Sequence, residues 1–230
     1  MTNSSKTTAD MLTRIRRYRD AKENSGLEKA HHFLFDRRLG PRNLEYYPVM
    51  AIGTNPGIGK RDYRGNGPQT EETSEFDLHR EIGNDPNELS YSKKLFEVAG
   101  TQSIVQTEFF FWSSRGTGKS FSEDFGFDYS SIENLRHLEF CRDLNIELIK
   151  HHNPSHIIAV GLTHIVLLCA LYGVSKHNRT IRSKCGKNHR IAELFSGEDG
   201  RKWVWVRHIT GGKPALTVAE ARQIKSELSL

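Results

Sequence analysis

A chain of 230 residues with net charge +5 and a pI near 9.1 has room for one α/β domain with a full core. Its apolar runs are too short to cross a membrane, and the opening MTNSSKTTAD lacks a signal-peptide apolar stretch, so a cytoplasmic protein without a membrane partner is expected. Three widely spaced cysteines, Cys141, Cys169 and Cys185, exclude a disulfide framework and a four-thiolate cluster.

In chain order, residues 1–8 read as a polar tail, and Thr8 or Asp10 caps a helix running to about Lys22. A second helix is predicted over Leu27–Arg38. The first strand is Pro48–Thr54, whose Val49, Met50, Ala51 and Ile52 form the continuous apolar run of a strand covered on both faces. Residues 57–88 are polar, broken by Gly and Pro, and acidic, which predicts a long loop or lid. A helix over Ser90–Val98 and a strand over Ser103–Trp112 follow. Next come a Gly/Ser-rich loop, a helix over Ser131–His151, and Pro154, which breaks it before the strand His156–Gly161. Thr163–Tyr172 is an apolar helix, Lys202–Ile209 the fourth strand, and Thr217 caps a last helix to Leu228. Strands separated by helices predict one domain over 1–230. Its expected architecture is a three-layer α/β/α sandwich around a mainly parallel four-stranded sheet.

Charge is unevenly placed. Lys176 to Arg190 holds six Lys or Arg and no acid, and reads as a solvated basic loop suited to phosphate. Arg14, Arg16, Arg17, Arg19 and Lys22 form a second basic cluster on the first helix. Glu71 to Glu88 holds seven acids against one Arg80. Cys185 and His189, with His177 nearby, have a spacing that suits zinc, but no compact fourth ligand is evident, so no metal and no cofactor are expected.

Two strand-to-turn junctions carry the chemistry. In PVMAIGTNPG, Gly53 permits a sharp turn, Asn55 supplies an amide, Pro56 fixes φ and Gly57 leaves space beside it. In WVWVRHITGG the fourth strand delivers His208 in the same way. Ligands of open α/β sheets bind beyond the carboxyl ends of strands, so both turns fall where a site is expected. A third motif, Gly116-Thr117-Gly118-Lys119-Ser120, looks like the end of a phosphate-binding loop. The full pattern needs Gly where Ser113 stands, and the aromatic, Gly-broken Phe121–Tyr129 is expected to be poorly helical, which argues against a nucleoside triphosphatase.

The junction pair resembles the uracil-DNA glycosylase superfamily. Gly53-Thr54-Asn55-Pro56-Gly57 matches its G-x-D/N-P-Y/G motif, and His208-Ile209-Thr210-Gly211-Gly212 is similar to its last motif, with the likeness spanning roughly Pro48 to Pro214. Some members hold an iron–sulfur cluster on four cysteines; this chain has only three. The resemblance implies a monofunctional glycosylase that flips a pyrimidine out of DNA and hydrolyses its N-glycosidic bond. Asn55 would orient the water beneath C1′, and His208 would stabilise negative charge growing on the base O2. Members with Asn at the first motif are often slower or depend more on the leaving group.

By resemblance, Gly53, Thr54, Gly57 and Glu108 would line the base site, and Tyr63 or Phe76 would stack on the flipped base. Thr210, Gly211, Gly212 and Lys213 lie where the superfamily inserts a wedge, though no large apolar plug stands there. Arg207 and Lys213 are placed to pair with phosphate, Arg115 and Lys119 form a further basic loop, and Lys184 and Lys187 belong to the basic stretch facing DNA. Gly57 stands where uracil-specific relatives hold a Tyr, which opens the C5 side. Glu108 stands where the superfamily's Asn reads uracil. An ionised carboxylate has only acceptors, which clash with O4 but match the 4-amino group of cytosine. Its protonated form, favoured by burial, would also donate to N3. Against the wrong base this discriminates by on the order of 2–4 kcal/mol. A 5-modified cytosine such as hydroxymethyl- or glucosylated hydroxymethylcytosine of phage DNA is therefore expected. A uracil or thymine glycosylase of base-excision repair and a catalytically silent DNA-binding module are the alternatives. The protein is read as a monomer without an obligate protein partner.

Overall fold

The computed structural model describes residues 3–30, 33–40, 46–57, 90–185, 188–209 and 215–228. Helix α1 (Asn3–Asp20) and two short 3-10 turns, Lys22–Asn24 and Leu27–Lys29, precede strand β1 (Arg37–Leu39). Then follow β2 (Val49–Gly53), α2 (Ser90–Ala99), β3 (Ile104–Glu108), α3 (Lys119–Phe125) and α4 (Ile132–His152). The chain continues through β4 (His156–Val160), α5 (Ile165–Leu171), β5 (Lys176–Arg182), β6 (Arg190–Ser196), β7 (Lys202–Val206) and α6 (Val218–Leu228).

These strands form one mixed sheet in the order β1-β3-β2-β4-β7-β6-β5. The four central strands β3, β2, β4 and β7 are mutually parallel and are the four expected from the sequence. Seven strands, not four, make up the described sheet, because three antiparallel strands extend it. The first replaces the helix expected over Leu27–Arg38. There Asp36 takes a left-handed φ of 48°, and its carboxylate accepts from Thr8 Oγ1 at 2.9 Å and meets His152 Nε2 at 2.8 Å. Residues 37–39 then pair with β3, so tertiary contacts override helix propensity. The other two strands replace the basic loop. β5 and β6 form a hairpin against β7, with Ala192 opposite Val206 and Leu194 opposite Val204.

The unbroken apolar runs are explained by burial on both faces. Met50, Ile52, Ile157, Ala159, Trp203 and Trp205 pack on one side with Met11 and Ile15 of α1, Leu138 and Leu144 of α4, and Leu168 of α5. Val49, Ala51, Ile158, Val160, Val204 and Val206 pack on the other with Leu95 and Val98 of α2 and Ile224 of α6.

Local chemistry sets several boundaries. Ser131 caps α4 by accepting from the Asn134 amide, and Asn153 closes it with φ 44° just before Pro154. Thr217 and Glu220 form a capping box on α6: the Glu220 amide donates to Thr217 Oγ1 at 3.2 Å, and the Thr217 amide to Glu220 Oε2 at 2.9 Å. Against expectation, α3 does form. Its Phe121 and Phe125, one turn apart, bury against Phe110, and Gly126 ends the helix at φ 85°. Among the described residues no helix is long and apolar enough to cross a membrane.

Candidate functional site

The parallel strands all end at one edge, and their exits stand side by side in the order β3, β2, β4, β7. Glu108 closes β3, Gly53–Gly57 leaves β2, Gly161 follows β4, and Arg207 and His208 leave β7. Neighbouring strands lie about 4.8 Å apart, so one intervening strand separates the Asn55 and His208 exits by about 10 Å.

The turn after β2 is held by neutral hydrogen bonds. Thr54 Oγ1 donates to the Val160 carbonyl at 2.8 Å and lies over Gly161, whose φ of 109° favours glycine and where a Cβ would collide with that hydroxyl. The Thr54 carbonyl accepts from Tyr129 Oη at 2.9 Å and from the Phe110 amide at 3.2 Å. Tyr129 is fully buried, and burial pushes its phenol well above the usual range, so it serves as a donor. His164, after β4, stacks on the Tyr129 ring at 4.4 Å, and burial lowers its pKa.

Asn55 is fixed more tightly than its sequence context suggests. Its Nδ2 donates to Ser114 Oγ at 2.8 Å and to the Pro56 carbonyl at 3.1 Å. Ser114 gives its own hydroxyl proton to the Gly116 carbonyl at 2.6 Å, so it receives the amide with a lone pair. The Ser114 amide donates to the Pro56 carbonyl at 3.1 Å, and Gly57 bridges Ser114. Both partners of Nδ2 are acceptors toward it, which settles the amide's orientation. Asn55 Oδ1 takes no part in either bond.

On the β3 side, Glu108 is 3% exposed, and its carboxylate lies across Gly53, its partner in the ladder. A Cβ on Gly53 would stand 2.6 Å from the carboxyl carbon, so the glycine makes the space the carboxylate fills. Gln106 Nε2 donates to Glu108 Oε1 at 3.3 Å. Gly57 is exposed, and no atom of the described residues lies within 4 Å of the position of a Cβ.

On the β7 side, His208 is exposed, and its backbone carbonyl accepts from the Leu216 amide at 2.8 Å. The next carbonyl, of Ile209, accepts from Lys94 Nζ at 3.1 Å. Arg207 places Nη1 2.7 Å from His189 Nε2, and the same nitrogen stands 2.7 Å from Glu220 Oε1. Glu220 is buried, which pushes its carboxyl up. Bonds from the Thr217 amide, Ser183, the Thr217 hydroxyl and His189 outweigh that and hold it below the ordinary value.

The structure thus brings Gly53, Thr54, Asn55, Gly57, Glu108 and His208 to one edge. The expected phosphate ligands are placed differently. Arg115 pairs with Asp124 at 2.6 Å and Glu123 at 3.2 Å, Lys119 is 92% exposed with Glu123 at 3.6 Å, and Lys184 pairs with Glu227 at 3.0 Å. Tyr63, Phe76, Lys187, Thr210, Gly211, Gly212 and Lys213 lie outside the described residues, as does the acidic stretch from residue 58 to 88. Among the described residues no three His, Cys, Asp or Glu side chains gather to hold a metal. His177 of the spacing noted above pairs instead with Glu193 at 2.6 Å.

Sequence reasoning missed Ser114, Tyr129 and Lys94, each of which reaches the edge from a segment distant in the chain and is marked by no local motif. Compared with protein-family models and with curated proteins, the sequence matches none.

Proposed function

We propose that the protein is a monofunctional DNA glycosylase that releases a pyrimidine as the free base, with a 5-modified cytosine as its preferred substrate. The carrying observation is the amide of Asn55. Ser114 and Pro56 bind its nitrogen, so its oxygen is presented at the sheet edge, one strand away from an exposed histidine.

In this reading Asn55 Oδ1 holds a water beneath C1′ of a flipped nucleotide. The glycosidic bond breaks with its electron pair leaving on the base. The water oxygen bonds C1′ and gives up a proton, and the base is released protonated. His208 donates to the base oxygen where charge accumulates, and that interaction strengthens as the bond breaks. Asn55 cannot take the water's proton, so the reaction depends on stabilising the departing base. The buried Glu108 carboxylate offers an acceptor to the 4-amino group of cytosine. The open side at Gly57 supports accommodation of a 5-substituent.

The test is base release from matched duplexes carrying uracil, thymine, cytosine, 5-hydroxymethylcytosine or its glucosylated form, read by alkali cleavage and by mass spectrometry of the freed base. Release of a modified cytosine, abolished in Asn55→Ala with DNA affinity retained, is the expected result. Release of uracil alone would move the protein to repair and remove the Glu108 argument. DNA binding without release of any base would leave a binding module.

A further inference from the structure

Lys94 lies on α2, half-buried, and donates from Nζ to the Ile209 carbonyl at 3.1 Å. Among the described residues no carboxylate forms an ion pair with it. A lysine that spends its charge on a single backbone oxygen is holding that oxygen, since hydrogen bonds from charged donors are roughly twice as strong as neutral ones. Ile209 follows His208, and the His208 carbonyl is itself bonded to the Leu216 amide at 2.8 Å. The chain is therefore fixed at the candidate catalytic residue and again immediately after it.

The same helix reaches the far side of the site. Tyr91 Oη stands 3.5 Å from Gln106 Nε2, which donates to Glu108 Oε1 at 3.3 Å. Tyr91 and Lys94 are three residues apart and share a helix face. One face of α2 thus touches the β3 exit through Tyr91 and the β7 exit through Lys94, across β2 and β4.

We infer that Lys94 is a positioning residue: its ammonium holds the β7 exit loop so that His208 keeps a fixed separation from Asn55 and Glu108. The catalytic consequence rests on the glycosylase reading; the clamp itself does not. A misplacement of about 1 Å in a positioned group lowers turnover by about a hundredfold. Loss of a clamp on the supporting backbone falls within that limit, at about 10- to 100-fold. Because Lys94 acts on protein backbone, binding of DNA and its salt dependence stay with the wild type.

The experiment compares wild type, Lys94→Met and Lys94→Arg. Base release is followed on the most reactive duplex of the panel above, DNA affinity over a salt series, and amide hydrogen exchange at Leu216 with the β4 amides as internal control. Expected for Lys94→Met are a kcat lowered about 10- to 100-fold, affinity within about twofold, and an unchanged salt slope. Leu216 exchanges about tenfold faster while β4 is unaffected. Lys94→Arg, which keeps a charged donor of similar reach, restores both kcat and protection. Unchanged exchange at Leu216 in Lys94→Met overturns the inference, as does a salt slope lowered by about one with weakened binding, which marks a phosphate ligand. If wild type releases no base from any duplex, the glycosylase reading fails alone, and Leu216 exchange still decides whether Lys94 clamps the loop.

Discussion

Gly53→Ala tests the packing on which the proposed base recognition depends. The added methyl would meet Glu108 at 2.6 Å from its carboxyl carbon and 2.7 Å from Oε1, where contact distances between non-bonded carbons are about 3.5–4.0 Å. Gly53 pairs with Glu108 of β3, and its carbonyl accepts from the Phe109 amide at 2.7 Å, so the backbone has little freedom to retreat. The carboxylate ends a flexible side chain and yields first, but at 3% exposure it displaces its neighbours as it moves. Overpacking of this kind costs about 1–3 kcal/mol, and the mobile end places the cost nearer 1–2. Without Glu108 the sign reverses, because alanine is favoured over glycine within a strand by about 0.5–1 kcal/mol. The expected coupling between Gly53→Ala and Glu108→Ala is thus about 1.5–3 kcal/mol. Urea unfolding followed by the fluorescence of the buried Trp112, Trp203 and Trp205 measures all four corners of the cycle. Equal effects of Gly53→Ala in both backgrounds would refute the reasoning.

Ser114→Ala removes the acceptor that orients Asn55 while leaving the amide in place, so under the proposed glycosylase function turnover should fall about tenfold with DNA affinity unchanged, as measured by single-turnover base release and by titration of labelled duplex. Acid sensitivity should come from two buried sites. At Asp36 burial pushes the carboxyl up, but His152 and Arg38 outweigh it and hold the group below its ordinary 3.8. The stability it contributes is fully present above that value and is lost as pH falls through the lower folded one, so Asp36→Asn should flatten the most acidic part of the stability profile. Burial lowers His137 to about 4 from 6.5, so the unfolded chain binds its proton first, and stability falls as pH drops from about 6.5 to 4. His137→Gln should flatten that interval in urea midpoints measured across it.

The parallel core was legible because strands buried on both faces need continuous apolar runs, and VMAI, IIAV and WVWV supply them. The edge strands left no such trace. β5 reads KHNRTIR with one buried residue, since an outer strand is kept charged against further pairing. β1 has three residues and follows a left-handed Asp36 whose carboxylate is held by Thr8 of α1, His152 of α4 and Arg38. At the site, the turn residues were visible because Gly, Asn and Pro have strong local preferences. Their supports were not, because Ser114 reaches Asn55 across 59 positions, Tyr129 reaches Thr54 across 75, and Lys94 reaches Ile209 across 115.

Charge behaves differently from shape in this molecule. The basic stretch that suggested a phosphate surface is answered by acids from other segments: Glu193 takes His177, Thr180 and Arg190, and Glu227 takes Lys184. Arg115 is likewise matched by Asp124. A count of lysines and arginines therefore overstates the cations left for a phosphate-bearing partner. On the β2 side the candidate edge is ordered instead by neutral bonds among Thr54, Val160, Tyr129, Asn55 and Ser114, which salt screens little. In the proposed reading, approach of a polyanion depends on ionic strength, whereas the geometry around Asn55 does not. The two can then be separated by experiment, with salt acting on binding and substitution at the edge acting on turnover.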